Sequence, residues 1–284
     1  MNYCKVNYSG EFKTIDTPEK AYVLGLFYSD GSILTPNEKK KSYRADITMH
    51  KNDKYLLEEI QKAFPFFTIR KMINNAYTLV CYRKAIVEDL LNNGVYFKKS
   101  TDNKELLQVP KLKQDLYSHF IRGFFDGDGS VYKQKLGNTK MEIGGTCFNL
   151  ITGLIKILYD NRITVNLRCK YIGEALRKHD FYILYTSSDK ISKQFAEYIY
   201  KDCGKLFLKR KYDKLFFIPE YSKKERLICP ICGGNNTVYN TIRIMKHGAM
   251  QRGECKDCKK RFSLPVTAPL CSNTQSGGDE LLED

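Results

Sequence analysis

The chain has 284 residues, enough for one large or two ordinary domains around a buried core, and its 42% hydrophobic and 13% aromatic content excludes a disordered chain. Lys and Arg number 47 against 32 Asp and Glu, a formal charge of +15 that favours a polyanionic partner, nucleic acid before anionic membrane. No apolar run approaches the roughly 18 residues of a membrane span, and the opening MNYCKVNYSGEF has no signal-peptide core, so no membrane association and a reducing cytoplasm are expected, with the ten cysteines as thiols or metal ligands.

Thr17 reads as a helix N-cap with Pro18 at the first helical position, where its missing N–H costs little; the helix should run to about Ser29. It carries YVLGLFYSDGSI (22–33), an apolar body notched by Gly25 and ending in Asp30. An alternating run follows at 42–50 (SYRADITMH), then a helical pattern at 53–64, a second alternating run at 77–82 and an amphipathic helix at 84–94. The order then returns. A helix from about Gln114 or Asp115 to Gly127 carries FIRGFFDGDGSV (120–131), followed by a strand at 139–145, a helix at 149–161, a strand at 182–187 and a helix at 189–200. Gly123 and Asp128 follow Gly25 and Asp30 at one offset, 98 residues (123 − 25 and 128 − 30). A repeat of about this length is a duplicated domain and not a solenoid. The expected fold is α+β, a duplicated αββαββα unit with pseudo-two-fold symmetry. Its boundaries are read as 11–110 and 111–216, then a basic closing helix and linker, a small cysteine domain at 226–264 and a disordered acidic tail at 265–284.

A mid-helix glycine costs about 1 kcal/mol relative to alanine. Close approach of two helix backbones would offset that cost twice, so Gly25 and Gly123 are expected to face each other in a helix seam. Asp30 and Asp128 would then meet at two helix C-termini, where they repel each other and oppose the helix dipoles. A divalent cation resolves that conflict, and hard carboxylate oxygens suit Mg²⁺. In a strongly basic protein, a carboxylate pair holding Mg²⁺ suggests metal-assisted phosphodiester hydrolysis. DGDGSVYKQKLG is not an EF-hand loop, because Val131 and Gly137 stand where Gly and Glu are required.

VLGLFYSDG and IRGFFDGDG resemble the LAGLIDADG, or DOD-type, motif of homing endonucleases. With the flanks IDTPEKAYVLGL, GVYFKKST and YIYKDCGKLFLKRKYDKL, the likeness covers about residues 11–216 and is to the free-standing phage and bacterial members. It implies a saddle of two antiparallel sheets straddling double-stranded DNA, a monomer, a long and roughly pseudo-palindromic target, and the cytoplasm of a bacterial or phage-infected cell. It also implies that Asp30 and Asp128, at the eighth motif position, bind catalytic metal. The first motif departs at Tyr28, where the family often has another acid, which makes Asp126 a packing or helix-end residue. The family also uses a lysine per half near the metals; Lys99, Lys84 and Lys190 are the candidates. On the saddle surface Arg44, Arg70, Lys71, Tyr82 and Arg83 in the first half, and Lys133, Lys135, Lys140, Arg168, Lys170 and Tyr171 in the second, are candidate DNA contacts.

Cys229-x2-Cys232 and Cys255-x2-Cys258, about 20 residues apart, are a zinc signal, and the segment is too short to fold on its own core without Zn²⁺. It resembles the zinc ribbons of transposase-like DNA-binding proteins. Arg243, Lys246, Arg252, Lys256, Lys259, Lys260 and Arg261 make it basic, which suggests added DNA contact. The expected function is a site-specific homing endonuclease making metal-dependent double-strand breaks. The alternative is a LAGLIDADG-derived DNA-binding regulator or intron RNA maturase without cleavage. An intein is not expected, because the chain shows no splicing-type Cys start or His-Asn end.

Overall fold

A computed structural model describes residues 11–34, 43–97, 99, 104–134, 138–171, 179–216, 228–245 and 248–265. The chain divides into two compact units, Met1–Ile218 and Pro219–Asp284.

In the first unit the αββαββα order occurs twice. The first half is α1 (Pro18–Ser29), β1 (Gly31–Ile33), β2 (Ala45–His50), α2 (Lys54–Ala63), β3 (Thr68–Lys71), β4 (Ala76–Cys81) and α3 (Lys84–Asn92). The second is α4 (Tyr117–Asp128), β5 (Gly129–Lys133), β6 (Thr139–Gly145), α5 (Phe148–Asp160), β7 (Asn166–Lys170), β8 (Phe181–Thr186) and α6 (Asp189–Tyr200), closed by α7 (Lys209–Phe216). Each half forms one four-stranded antiparallel sheet with the same strand order, β1-β2-β4-β3 and β5-β6-β8-β7. The fold is thus α+β and internally duplicated.

Local chemistry accounts for the helix starts. Thr17 Oγ1 accepts from the Lys20 amide at 3.3 Å, with Pro18 opening α1. Ser188 Oγ caps α6 in the same way, and at α5 the Cys147 thiol takes that part. A single 3-10 turn at Gln114–Leu116 precedes α4, so the α-helix proper begins at Tyr117.

The two motif helices form the centre of the unit. Every residue of α1 from Ala21 to Ser29 is buried, as expected for a helix packed on all sides. Its glycine meets its counterpart across the seam. A methyl group added at Gly25 would lie 2.1 Å from the Phe120 carbonyl oxygen, and one at Gly123 would lie 2.0 Å from that of Tyr22. The backbones approach too closely for any side chain at either position. Tyr28 packs edge-on against Phe120 across the same seam, ring centroids 5.1 Å apart. Around it one continuous core joins both halves, including Phe27, Phe67, Phe125 and Phe195.

Buried polar groups pin α4 to the end of α6 and the segment beyond it. Arg122, 1% exposed, donates from Nε to Leu206 O and from an Nη to Ile199 O, each at 2.9 Å. His119 Nδ1 lies 2.8 Å from the same guanidinium. Burial, then the Arg122 charge, pushes the His119 imidazole down to about 4, so it is neutral and accepts that hydrogen bond.

The second unit is a three-stranded antiparallel sheet of β9 (Thr237–Met245), β10 (Gly248–Cys255) and β11 (Arg261–Pro265), ordered β11-β10-β9. Two cysteine turns precede β9 and join β10 to β11. Gly233 follows the first Cys-x2-Cys at φ +71° and Lys259 follows the second at φ +57°, equivalent positions in the left-handed region that favours glycine. The amide of Cys229 donates to Gly234 O at 2.8 Å, and that of Cys255 to Lys260 O at 3.0 Å, so both turns close alike. Beyond Pro265 the tail lies outside the described residues.

Candidate active site and metal centre

Asp30 caps the C-terminus of α1, and Asp128 is the last residue of α4. Both are exposed to solvent at the end of the seam. Partial burial, then the charge of Asp30, pushes the Asp128 carboxyl up to about 6. Partial burial also raises Asp30, opposed by Lys211, Lys99 and Arg210. The fold therefore brings together two carboxylates, the charge of Asp30 raising Asp128, with a set of cations around them.

Lys99 reaches this place from the segment after α3. Its amine donates to Gly31 O, one residue past Asp30. Burial lowers its pKa, against the pull of Asp128 and then Asp30. Lys99 and Asp128 also line a small cavity of about 40 Å³, together with Tyr28, Phe124 and Cys147. Of the other two candidate lysines, Lys84 turns to Glu88 at 3.5 Å and to the Tyr43 ring, and Lys190 is exposed in the first turn of α6. The second cation at the carboxylates is instead Lys211, on α7. It is 4% exposed and donates to Phe125 O and Asp126 O at 2.7 Å and to Gly127 O at 3.1 Å. Burial brings its amine down to about 8, although Asp126 holds it up. The sequence carries a faint sign of this: GVYFKK and GKLFLKRK each run from a glycine through apolar residues into a basic cluster.

Asp126 is a different kind of acid from Asp128. It is 1% exposed, and its Oδ2 accepts from Tyr22 Oη at 2.8 Å and from the Leu208 amide at 2.9 Å. Burial pushes its carboxyl up to about 6.

The candidate DNA contacts fall unevenly. Strand alternation puts Arg70 on one face of β3 with Thr68, and Arg168 and Lys170 on one face of β7 with Asn166. Lys71 and Lys133 fall on the alternate faces of their strands. Arg70 stacks on the Tyr82 ring, 5.0 Å to the centroid, and Arg168 on Tyr185 at 5.5 Å. Arg44 pairs with Asp46 at 2.7 Å. Lys140, expected as a DNA contact, is instead 8% exposed and paired with Glu142 at 2.9 Å, its ammonium over the Tyr132 and Tyr185 rings. Arg83 stands at the N-cap of α3, Tyr171 is exposed just past β7, and Lys135 lies outside the described residues.

In the second unit the sulfurs of Cys229, Cys232, Cys255 and Cys258 lie within 4.8 Å of one another. Tetrahedral zinc with Zn–S bonds of about 2.3 Å sets sulfurs about 3.8 Å apart. Cys229 and Cys258 are 3.8 Å apart, and Cys232 and Cys255 are 3.6 Å apart, so donor set and spacing both fit zinc. Asn236 Nδ2 donates to Asp257 Oδ1 at 3.0 Å, tying the two turns together. Of the basic residues, Lys256 and Arg261 both contact Glu254, at 2.7 and 3.5 Å. Lys259 and Lys260 are exposed, while the side chains of Arg243 and Lys246 lie outside the described residues.

No protein-family model matches the chain. A curated relative, a DNA polymerase of Thermococcus sp. (strain GE8), is 23% identical over 207 residues, 68% of this chain; the chain spans 12% of that polymerase's length. Solved structures similar to the chain include the LAGLIDADG meganuclease I-AabMI bound to uncleaved DNA, 14% identical over 72% of this chain and 89% of that one, TM-score 0.48. A second is the LAGLIDADG homing endonuclease I-SmaMI bound to cleaved DNA, 16% identical over 71% and 87%, TM-score 0.47. The homing endonuclease I-DmoI in complex with DNA and Ca is similar at 17% identity over 64% and 88%, TM-score 0.45.

Proposed function

We propose that this chain is a monomeric, Mg²⁺-dependent, site-specific DNA endonuclease of the LAGLIDADG homing type. What chiefly supports the reading is the meeting of Asp30 and Asp128 at the end of a glycine seam, both exposed and both raised from their ordinary range, with Lys99 and Lys211 beside them. Such a pair is a poor way to stabilise a fold and a good way to hold a divalent cation. A divalent ion held there would polarise a phosphodiester and supply an activated water. The chain's own part is to hold that ion with the two carboxylates and to stabilise charge on the phosphate with the two amines. With its pKa at about 8, Lys211 is mostly protonated at pH 7 and can serve in this way. The net charge of +15 suits a long duplex target, and Arg70, Arg168 and Lys170, on the edge strands β3 and β7, are proposed among its contacts.

The proposal sets a pH dependence. Because the Asp128 carboxyl is pushed up to about 6, protons compete for it below that pH. The Mg²⁺ concentration for half-maximal cleavage should rise about tenfold per pH unit below about 6 and level off above it. The sign for folding is opposite: a raised carboxyl pKa contributes stability at low pH that is lost as pH rises through about 6. Added Mg²⁺ should therefore raise the melting temperature at pH 8 more than at pH 5. Cleavage titrations and thermal melts at several pH values check both, and a metal requirement independent of pH between 5 and 8 contradicts the assignment.

The second unit is proposed as a zinc ribbon that adds affinity without chemistry. Metal analysis should find one Zn²⁺ per chain. A truncation ending near Glu225 should remain a folded, Mg²⁺-dependent nuclease with weaker DNA binding and a shallower salt dependence, by about 0.9 in log–log slope for each phosphate that the ribbon neutralises in the full chain. Absence of zinc from the full chain removes the site. Unchanged affinity and salt slope on truncation remove its DNA role and point to a protein partner. The competing reading, a DNA-binding regulator or intron maturase without cleavage, is separated by the carboxylate variants.

A further inference from the structure

The residue two positions before each proposed metal acid differs between the halves: Tyr28 before Asp30, Asp126 before Asp128. Their surroundings give both the same task. Tyr28 Oη donates at 2.8 Å to Asn93 O, the cap at the end of α3. Six residues later Lys99 returns to donate to the carbonyl of Gly31, the first residue past the Asp30 cap of the first motif helix. Asp126 accepts at 2.9 Å from the Leu208 amide. Leu208 O in turn accepts from the amides of Lys211 and Tyr212 at 2.9 and 3.0 Å, so Leu208 starts α7. Three residues after Leu208, Lys211 returns to three carbonyls in the last turn of α4. In each half the motif helix grips the start of a segment, and the lysine of that segment comes back to the end of the same helix.

We propose that Tyr28 and Asp126 are positioning residues, each docking a lysine-bearing segment on its own motif helix so that Lys99 and Lys211 stand beside Asp30 and Asp128. The inference rests on the nuclease reading for its kinetic consequence, but not for the clamp itself. The two residue types differ because the gripped groups differ. The first half presents a carbonyl and needs a donor, so a tyrosine serves; the second presents an amide and needs an acceptor, so a carboxylate serves. Asp126 is 1% exposed and hydrogen-bonded to Tyr22, Tyr200 and Leu208, which leaves it out of ion binding. The segment before Lys211 has further anchors in the first half. Tyr55 Oη accepts from the Lys209 amide at 2.6 Å and donates to Phe207 O at 3.2 Å, and Arg210 Nε donates to Asp53 at 3.1 Å. The second lysine is thus held from both halves, and Asp126 supplies the grip nearest the carboxylates.

The test uses the full chain and the variants Tyr28→Phe, Asp126→Asn, Asp126→Leu and Asp128→Asn. Single-turnover cleavage, DNA affinity, melting temperature and amide hydrogen exchange at Leu208 are measured together. Tyr28→Phe removes one hydroxyl and should fold; its cleavage rate should fall about 10- to 100-fold with DNA affinity unchanged, the cost of a slightly misplaced catalytic group. Asp126→Asn keeps an oxygen for the Leu208 amide and should stay within about tenfold of the parent, where Asp128→Asn is inactive. Asp126→Leu should lose exchange protection at Leu208, a readout that needs no activity. Parental cleavage by Tyr28→Phe overturns the first clamp. Asp126→Asn as inactive as Asp128→Asn, or retained Leu208 protection in a folded Asp126→Leu, overturns the second. If Asp126→Leu does not fold, the Leu208 exchange rate in Asp126→Asn decides: faster exchange, from a neutral acceptor weaker than the carboxylate, supports the clamp and an unchanged rate refutes it. A parent without cleavage on DNA carrying its target refutes the nuclease reading, while the Leu208 exchange still decides the Asp126 clamp.

Discussion

Asp30→Asn and Asp128→Asn should each abolish cleavage while the protein stays folded and keeps its DNA affinity within about tenfold. Losing one carboxylate from a two-carboxylate metal site removes several kcal/mol of transition-state stabilisation, a drop of at least about 1,000-fold. Folding should not suffer. Both side chains are exposed, burial raises both carboxyls, and the charge of Asp30 disfavours that of Asp128. Asp128→Asn should melt no lower than the parent in metal-free buffer and should lose most of the stabilisation that Mg²⁺ confers on the parent. Affinity should survive because it depends on basic side chains spread over the chain and not on the acids. Plasmid cleavage, gel shifts and melts with and without Mg²⁺ check these outcomes. Full activity in either variant ends the nuclease proposal. Loss of folding in both would assign the carboxylates a structural role instead.

Gly25→Leu and Gly123→Leu should be the most damaging substitutions in the first unit. At each position even a methyl carbon would stand about 2 Å from a main-chain oxygen of the facing helix, 2.1 Å at Gly25 and 2.0 Å at Gly123. Neither helix can yield without opening the core that both halves share. Overpacking an ordinary core site costs about 1–3 kcal/mol, and more is expected where the obstruction is backbone. The expected result is insoluble protein, or a melting temperature lowered by about ten degrees or more. Alanine at either site should fail in the same direction, which separates steric exclusion from general intolerance of large residues. Parental melting by both leucine variants would show that the helices do not meet at these glycines.

The purely local features of the fold were legible from the chain alone. Thr17 and Pro18 start α1 because capping depends only on neighbouring residues, and the alternating runs mark strands because side-chain direction repeats every two residues. The 98-residue offset between the glycine and aspartate pairs identifies a duplication (123 − 25, 128 − 30), and one structural unit repeated must form its elements in one order. The four cysteines announced their cluster because two Cys-x2-Cys turns each preset half of a tetrahedron.

Other features depended on contacts between residues far apart in the chain. β3 and β7 are short edge strands, with three of the four residues of β3 and three of the five of β7 exposed, and carry little periodic signal. Alternation could put Lys140 on a strand face, but only strand packing shows Glu142 and two tyrosine rings surrounding its ammonium. Lys211 is one of several basic residues in KLFLKRK, and nothing local distinguishes it from Lys209. It becomes the buried lysine because α7 folds back onto the last turn of α4, where carbonyls left open at a helix end accept its amine. Lys84 and Lys190 had equal claims in the sequence, yet their helices turn one to Glu88 and leave the other in solvent. The repeat, the paired acids and the cysteine cluster are patterns of residue type and spacing, and such patterns are complete in the chain before it folds. The choice of cations beside the acids belongs to packing, because it depends on a return of the chain across more than eighty residues, from Asp128 to Lys211.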